Sequence, residues 1–240
     1  MSLMPHPRIV ILTGAGLSAE SGVPTFRGVD GLWEGYRVEE VASPEAFKHR
    51  PELVHRFYNL RRAALKTVMP NAAHESLVRL EREWPGSFLH ITQNVDDLNE
   101  RAGAQKLLHM HGQLAKVRCV WCRVVLDWQE DLFVETLCPE CGKAGKLRPD
   151  IVWFGEMPYH IDEITRALET VDIFICIGTS GVVYPAAGFA RLAAENGAQR
   201  LIEINPESTD ISGHFTEHRQ GPASVEVPRL VDELLAEVGD

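Results

Sequence analysis

The sequence predicts an α/β fold: a parallel sheet covered by helices on both sides and interrupted by one small insertion. Three observations predict it. Short apolar runs recur along the chain, amphipathic stretches lie between them, and two cysteine pairs sit in a polar segment of their own. The apolar runs are residues 8–13 (RIVILT), 88–92 (FLHIT), 172–178 (DIFICIG) and 200–204 (RLIEI), with 151–154 (IVWF) as a fifth candidate. They are mostly β-branched and apolar at successive positions, as strands buried on both faces are. Helices are expected over residues 45–68 with a break near Pro51, and over 72–84, 161–170, 186–196 and 228–238. Alternating strands and helices give a parallel sheet. Residues 117–146 carry cysteines, charges and turn residues but no long apolar run, so they read as an insertion.

The chain has 240 residues, 45% hydrophobic and 24% charged, the balance of a globular protein able to bury a full core. The formal net charge of −10 argues against a nucleic-acid surface, because such affinity rests on cationic contacts to phosphates. No run approaches 18 apolar residues, so no transmembrane helix and no membrane partner are expected. Residues 1–7 hold no apolar signal region, which points to the cytoplasm. Met4 is a candidate natural start. A monomer is expected.

The first apolar run leads into Thr13-Gly14-Ala15-Gly16-Leu17-Ser18-Ala19, a G-x-G-x-x-[GA] fingerprint. Glycines there allow a tight turn and close approach to a pyrophosphate, and a following helix would offer free amides and a favourable dipole. A dehydrogenase would reach an acidic residue at the end of a second strand about 20 residues on. Here Ser21-Gly22-Val23-Pro24-Thr25-Phe26-Arg27-Gly28 makes a loop instead. Polar clusters follow three other runs: Gln93-Asn94-Val95-Asp96-Asp97, Gly178-Thr179-Ser180 and Asn205-Pro206-Glu207. Each alone is ordinary capping or turn chemistry. Together at the carboxyl ends of parallel strands they would ring one nucleotide. His109-Met110-His111-Gly112 offers a histidine base near neutral pH.

Cys119, Cys122, Cys138 and Cys141 form C-x2-C-x15-C-x2-C. Two thiolates on each of two tight knuckles close a tetrahedron around zinc and leave no open position, so the metal is expected to be structural. Cys176 lies inside an apolar run and is expected in the core.

Taken in order, these motifs resemble those of the sirtuins: Gly14-Ala15-Gly16-x-Ser18-x-x-Ser21-Gly22-x-Pro24-x-Phe26-Arg27, Thr92-Gln93-Asn94-Val95-Asp96, His111-Gly112, the four cysteines, Val152-Trp153-Phe154-Gly155-Glu156, Gly178-Thr179-Ser180 and Asn205-Pro206. The resemblance implies a Rossmann-like large domain (residues 1–36, 70–116 and 147–240) and a small helical and zinc-binding domain (37–69 and 117–146). It implies NAD as co-substrate, one structural zinc, and acyl-lysine proteins or peptides as substrates. Gly14, Ala15, Gly16, Ser18, Ala19, Phe26 and Arg27 would belong to the NAD loop. Gln93, Asn94 and Asp96 would line the nicotinamide and ribose, with Asn94 and His111 catalytic and His111 the general base. Gly178, Thr179, Ser180, Asn205, Pro206, Glu207 and Ala223 would hold the adenosine half. Val152, Phe154 and Gly155 would receive the peptide by β-addition.

Ala42, Tyr58 and Arg61 resemble the acyl-pocket residues of class III sirtuins, which accept succinyl, malonyl or glutaryl lysine. Arg61 falls on the apolar stripe of its predicted helix, three residues after Tyr58. Such an arginine can lay its stem along apolar surface, or its fork can hold a carboxylate, and the pattern alone leaves both open. Rival classes share the fingerprint: a dehydrogenase, a NAD glycohydrolase or ADP-ribosyltransferase, and a non-catalytic NAD sensor. NADH absorbance, peptide-independent nicotinamide release, and NAD binding without turnover would mark them in turn.

Overall fold

The computed structural model describes residues 6–25, 32–33 and 35–239. β1 (Ile9–Thr13) ends in two 3₁₀ turns, Ala15–Leu17 and Ala19–Ser21. A short hairpin of β2 (Leu32–Trp33) and β3 (Tyr36–Arg37) precedes α1 (Val38–Val41), α2 (Pro44–His49) and α3 (Pro51–Leu65). Next come α4 (Ala72–Glu83), β4 (Phe88–Thr92), α5 (Leu98–Ala102) and β5 (Leu107–His109). β6 (Gly112–Cys119), β7 (Val125–Asp127) and β8 (Leu147–Ile151) follow. The chain closes with α6 (Ile161–Leu168), β9 (Ile173–Ile177), α7 (Phe189–Glu195), β10 (Arg200–Asn205), β11 (Glu217–Gln220) and α8 (Ala223–Gly239).

The main sheet runs β11-β10-β9-β1-β4-β5, and its pairings are parallel. From β1 the chain moves outward through β4 and β5. It then returns to β9 on the other side of β1 and moves outward through β10 and β11. The direction reverses between β1 and β9, where open sheets of this kind place their ligand.

Alternate residues of each strand point to opposite faces. Ile9, Ile11, Ile173, Ile175, Ile202 and Ile204 pack with Leu77 and Leu80 of α4 and Val227, Leu230 and Leu234 of α8. Their neighbours Val10, Leu12, Phe174, Cys176 and Leu201 pack with Ile164 and Leu168 of α6 and Phe189 and Ala190 of α7. Each such aliphatic side chain contributes about 1.5–3 kcal/mol on burial, so both faces must be covered. Cys176 is in this core, and burial pushes its thiol up. A third apolar cluster joins α1, α2 and α3 to Leu114, Ile151 and Trp153. No helix among the described residues is long and apolar enough to cross a membrane.

Several elements differ from the sequence expectation. Residues 151–154 are not a parallel strand; Ile151 ends β8, which pairs antiparallel with β6. β5 and β11 extend the main sheet at its two edges, where LLH and EHRQ are too short and too polar to signal a buried strand. The expected break near Pro51 occurs: α2 ends at His49 and Pro51 opens α3, where a missing N–H costs nothing. α8 starts five residues before Pro228, and the Glu20 carboxylate accepts hydrogen bonds from both N–H and hydroxyl of Ser224 at its start.

The four cysteines come together between β6 and β8, with all sulfurs within 4.8 Å of one another. Cys119–Cys141 and Cys122–Cys138 are each 3.8 Å apart, sulfur to sulfur. Zinc bound to four sulfurs at about 2.3 Å sets neighbouring sulfurs about 3.8 Å apart, so the donor set fits a closed tetrahedral site. The two knuckles match in backbone. The N–H of Arg123 donates to the Cys119 carbonyl, and that of Gly142 to the Cys138 carbonyl. Arg123 and Gly142 both turn left-handed, at φ 68° and 67°. Among the described residues Val117, Leu132 and Leu147 are the fully buried apolar side chains of the cluster around these sulfurs, with Val124, Leu126 and Trp128 partly buried against them, a small core for a segment to hold without a metal. One zinc per chain is therefore expected by elemental analysis. Cys119→Ala should lose the metal and lower the melting temperature, whereas Cys176→Ala should retain full zinc; a metal-free protein with an unchanged melting curve would contradict the assignment.

Candidate active site

The loops after β1 and β9 meet backbone to backbone. The N–H of Gly14 donates to the Ile177 carbonyl at 2.9 Å, and that of Gly16 to the Gly178 carbonyl at 2.8 Å. A Cβ on Gly16 would lie 2.5 Å from the Gly178 Cα, so a side chain there would force the loops apart. The helix expected after the fingerprint is replaced by two 3₁₀ turns. Turns this short offer no helix dipole to a pyrophosphate, and the glycines serve a close approach between loops.

That approach leaves a cleft of about 830 Å³ across the strand ends. The volume lies in the upper part of the range for cofactor sites. Gly14, Ala15, Gly16 and Ala19 line it after β1, Gln93, Asn94 and Asp96 after β4, and His111 before β6. Gly178, Thr179 and Ser180 line it after β9, Asn205 and Pro206 after β10, and Ala223 at the start of α8. Val152, Phe154 and Gly155 after β8, with Ala42, Tyr58 and Arg61, line its far part. Ser18 and Glu207 do not line it. Ser18 is fully buried behind it, and Glu207 is exposed. Phe26 and Arg27 lie outside the described residues.

A buried polar layer orders the loop after β4. The Ser18 hydroxyl donates to Asp96 Oδ2 at 3.0 Å and accepts from Asn94 Nδ2 at 3.2 Å. The Leu98 N–H donates to Asp96 Oδ1. Burial raises the Asp96 carboxyl above its ordinary value, against these hydrogen bonds. His74, beside Ser18, is pushed down to about 4 by burial, and His90, against the Thr13 hydroxyl, to about 3. Gln93 Nε2 donates to the Thr179 hydroxyl at 3.0 Å, and Asn205 Nδ2 to the Thr179 carbonyl at 3.0 Å, tying the three loops together.

The two histidines of the HMHG segment differ in surroundings. His109 Nδ1 lies 3.1 Å from the Asn94 carbonyl and Nε2 lies 2.7 Å from Glu100 Oε1, so both nitrogens face acceptors. This ring braces the backbone of Asn94. His111 Nδ1 lies 3.2 Å from the Gln93 carbonyl. A carbonyl can only accept, so the proton sits on Nδ1 and the lone pair on Nε2. Burial lowers the His111 pKa, opposed by that hydrogen bond, and the ring is neutral at pH 7. It can take up a proton there.

The far part of the cleft is lined by apolar side chains together with Tyr58, Arg61 and the carboxylates of Glu39 and Glu156. The backbone N–H of Val152 donates to the His111 carbonyl, and that of Phe154 to the Ala42 carbonyl, which fixes this segment between the helices and the strand ends. Tyr58 is fully buried and Arg61 is 8% exposed. Among the described residues Arg61 is the only lysine or arginine lining the cleft. Amides, hydroxyls and backbone line the opposite part beside His111 and the carboxyl groups of Glu20 and Asp96, suited to the polar groups of a dinucleotide. Sequence reasoning missed Trp153, whose indole N–H donates to the Tyr58 hydroxyl at 2.9 Å, and the lining residues Val182, Val183 and Tyr184. Trp153 stood inside a quoted motif; the other three carried no signal.

The family model described as the Sir2 family matches residues 14–185. An NAD-dependent protein deacylase of Bdellovibrio bacteriovorus is 57% identical over 237 residues, covering 98% of this chain and 100% of that protein. A solved Sir2 homologue–NAD complex is 41% identical, with a TM-score of 0.86, over 96% of this chain and 90% of that one. A structure of Sir2 bound to acetylated peptide is 28% identical, with a TM-score of 0.80, over 94% and 92% of the two chains.

The histidine environments can be read by NMR titration of the ring signals. His111 should titrate below the ordinary histidine value of about 6.5, and His74 should stay neutral down to about pH 4. A midpoint for His111 above the ordinary value would contradict the burial described.

Proposed function

Because the chain belongs to the Sir2 family, we propose that it is an NAD-dependent protein-lysine deacylase, acting on succinyl- and malonyl-lysine as well as acetyl-lysine. The observation that carries the acyl choice is Arg61, the single cation of the described lining, set among the apolar residues Ala42, Ala64 and Leu65. A buried guanidinium favours an anion, and its fork matches a carboxylate by two parallel hydrogen bonds. Tyr58, one helical turn away, supplies a hydroxyl on the same side.

NAD supplies a ribose whose bond to nicotinamide can break in favour of an incoming oxygen. Every other part of the reaction falls to this chain. Gln93, Asn94 and Asp96 line the ribose, with Asn94 placed by Ser18 on its side chain and His109 on its carbonyl. Gly178, Thr179, Ser180, Asn205, Pro206 and Ala223 hold the adenosine half, and Gly14, Ala15 and Gly16 the middle. Val152, Phe154 and Gly155 meet the peptide. The N–H groups of Val152 and Phe154 are already bonded inward, so this edge offers carbonyl acceptors to an incoming strand. Holding the weak amide nucleophile in line contributes much of the rate. Neutral His111 takes a proton at Nε2 from a ribose hydroxyl. Five reduced cysteines, four of them poised for zinc, suit the cytoplasm.

His111→Tyr should still fold and bind NAD but lose deacylation by about 100- to 10,000-fold, the usual worth of a general base; His109→Ala should lose far less. Arg61→Met should raise the Michaelis constant for a succinyl-lysine peptide about 10- to 150-fold, the worth of a hydrogen bond to a charged group. The acetyl-lysine peptide should change much less. Equal losses on both peptides would show that Arg61 only supports its helix.

A further inference from the structure

At the wall of the cleft a connected set of polar groups runs from Arg148, which does not line it, through Glu156 and Trp153 to Tyr58, which do. Arg148, on β8, is 5% exposed. Its two terminal nitrogens donate to the two oxygens of Glu156, at 2.6 and 2.9 Å, and one also donates to the Ile151 carbonyl at 2.7 Å. Glu156 Oε2 in turn accepts the backbone N–H of Trp153 at 2.8 Å. The Arg148 guanidinium lies over the Trp153 ring, its central carbon 3.3 Å from the centroid. The indole N–H then donates to the Tyr58 hydroxyl. The ion pair thus holds Trp153 twice, by its backbone and by its ring face.

A buried hydroxyl has several rotor positions, and its use in recognition depends on which one is favoured. A donor aimed at the oxygen removes the positions in which O–H points back at that donor. Tyr58 has no solvent to compete for its hydroxyl, so the indole is a strong constraint on it. Chains of hydrogen bonds in a dry site also polarise one another. An indole N–H stacked under a guanidinium is a better donor, and a tyrosine that accepts from it is a better donor in turn.

We propose that Trp153, held by the Arg148–Glu156 pair, is a positioning residue that orients the Tyr58 hydroxyl toward acyl groups ending in a carboxylate. The proposal rests on the acyl-pocket reading above and deepens it, adding a residue that sets specificity without touching the reacting atoms. Phenylalanine at 153 keeps an aromatic ring and removes only the donor and part of the volume.

The test measures KM and kcat for matched succinyl- and acetyl-lysine peptides with four proteins: the parent, Trp153→Phe, Tyr58→Phe and the double variant, each checked for zinc content. Trp153→Phe should raise the ratio of succinyl to acetyl KM by about 2- to 13-fold, the worth of one neutral hydrogen bond, with the two kcat values moving together. In the Tyr58→Phe background the same substitution should leave that ratio where Tyr58→Phe alone puts it. If Trp153→Phe folds poorly, Glu156→Gln supplies the answer: it loosens the hold on Trp153, leaves the Tyr58 hydroxyl in place, and should raise the same ratio. An unchanged ratio in Trp153→Phe would overturn the proposal, as would a Trp153→Phe effect that persists undiminished without the hydroxyl. If the parent turns over succinyl peptide and Arg61→Met is selective while these variants are not, only this proposal fails. If the parent leaves succinyl peptide untouched, the acyl-pocket reading fails first and takes this one with it.

Discussion

The loops after β1 and β9 approach until Gly16 and Gly178 touch through bare backbone. The sheet reverses direction between these strands, so their ends would diverge if side chains stood between them. Because they meet, the polar clusters after β4 and β10 are drawn to the same edge, and Thr179 can bond to both Gln93 and Asn205. One continuous cleft results where four separate turns would otherwise stand. Larger residues at 14 or 16 would disturb the cleft before they disturbed the core, which is built on the strands below.

Charge is distributed along that cleft with a purpose the chemistry makes plain. Burial holds His111 neutral, and His74 and His90 neutral behind it, so the polar end carries bases and amides but no fixed cation among the described residues. The cation is at the other end, in Arg61. An acyl group with a terminal carboxylate would meet its complement there. The zinc module matters to both ends. β8 leaves the cysteine cluster and delivers Ile151, Val152 and Trp153 to the cleft, and Val152 is bonded to the backbone of His111 itself.

Much of this was legible in the sequence. Apolar runs at 88–92, 172–178 and 200–204 marked the central strands, because burial on both faces leaves an unmistakable composition. The cysteine spacing marked the metal site, since each knuckle is local. The edge strands were not legible: LLH and EHRQ are short and covered differently, and only pairing with a neighbour makes them strands. The stretch 151–154 misled because its apolar residues serve the helical cluster around Trp153 and not the main sheet. Contacts far apart in sequence were also hidden. Ser18 with Asp96, His109 with Glu100 and Tyr58 with Trp153 each need the fold before they can be seen.

One cleft joins NAD to an acyl-lysine, and neither is consumed alone. The most direct measurement is quantitative mass spectrometry of a single reaction containing the protein, NAD and an acyl-lysine peptide. Free lysine peptide, nicotinamide and acyl-ADP-ribose should appear in equal amounts, and none should form when either NAD or the peptide is left out. Nicotinamide released at the same rate without peptide, or lysine freed without loss of NAD, would contradict the account.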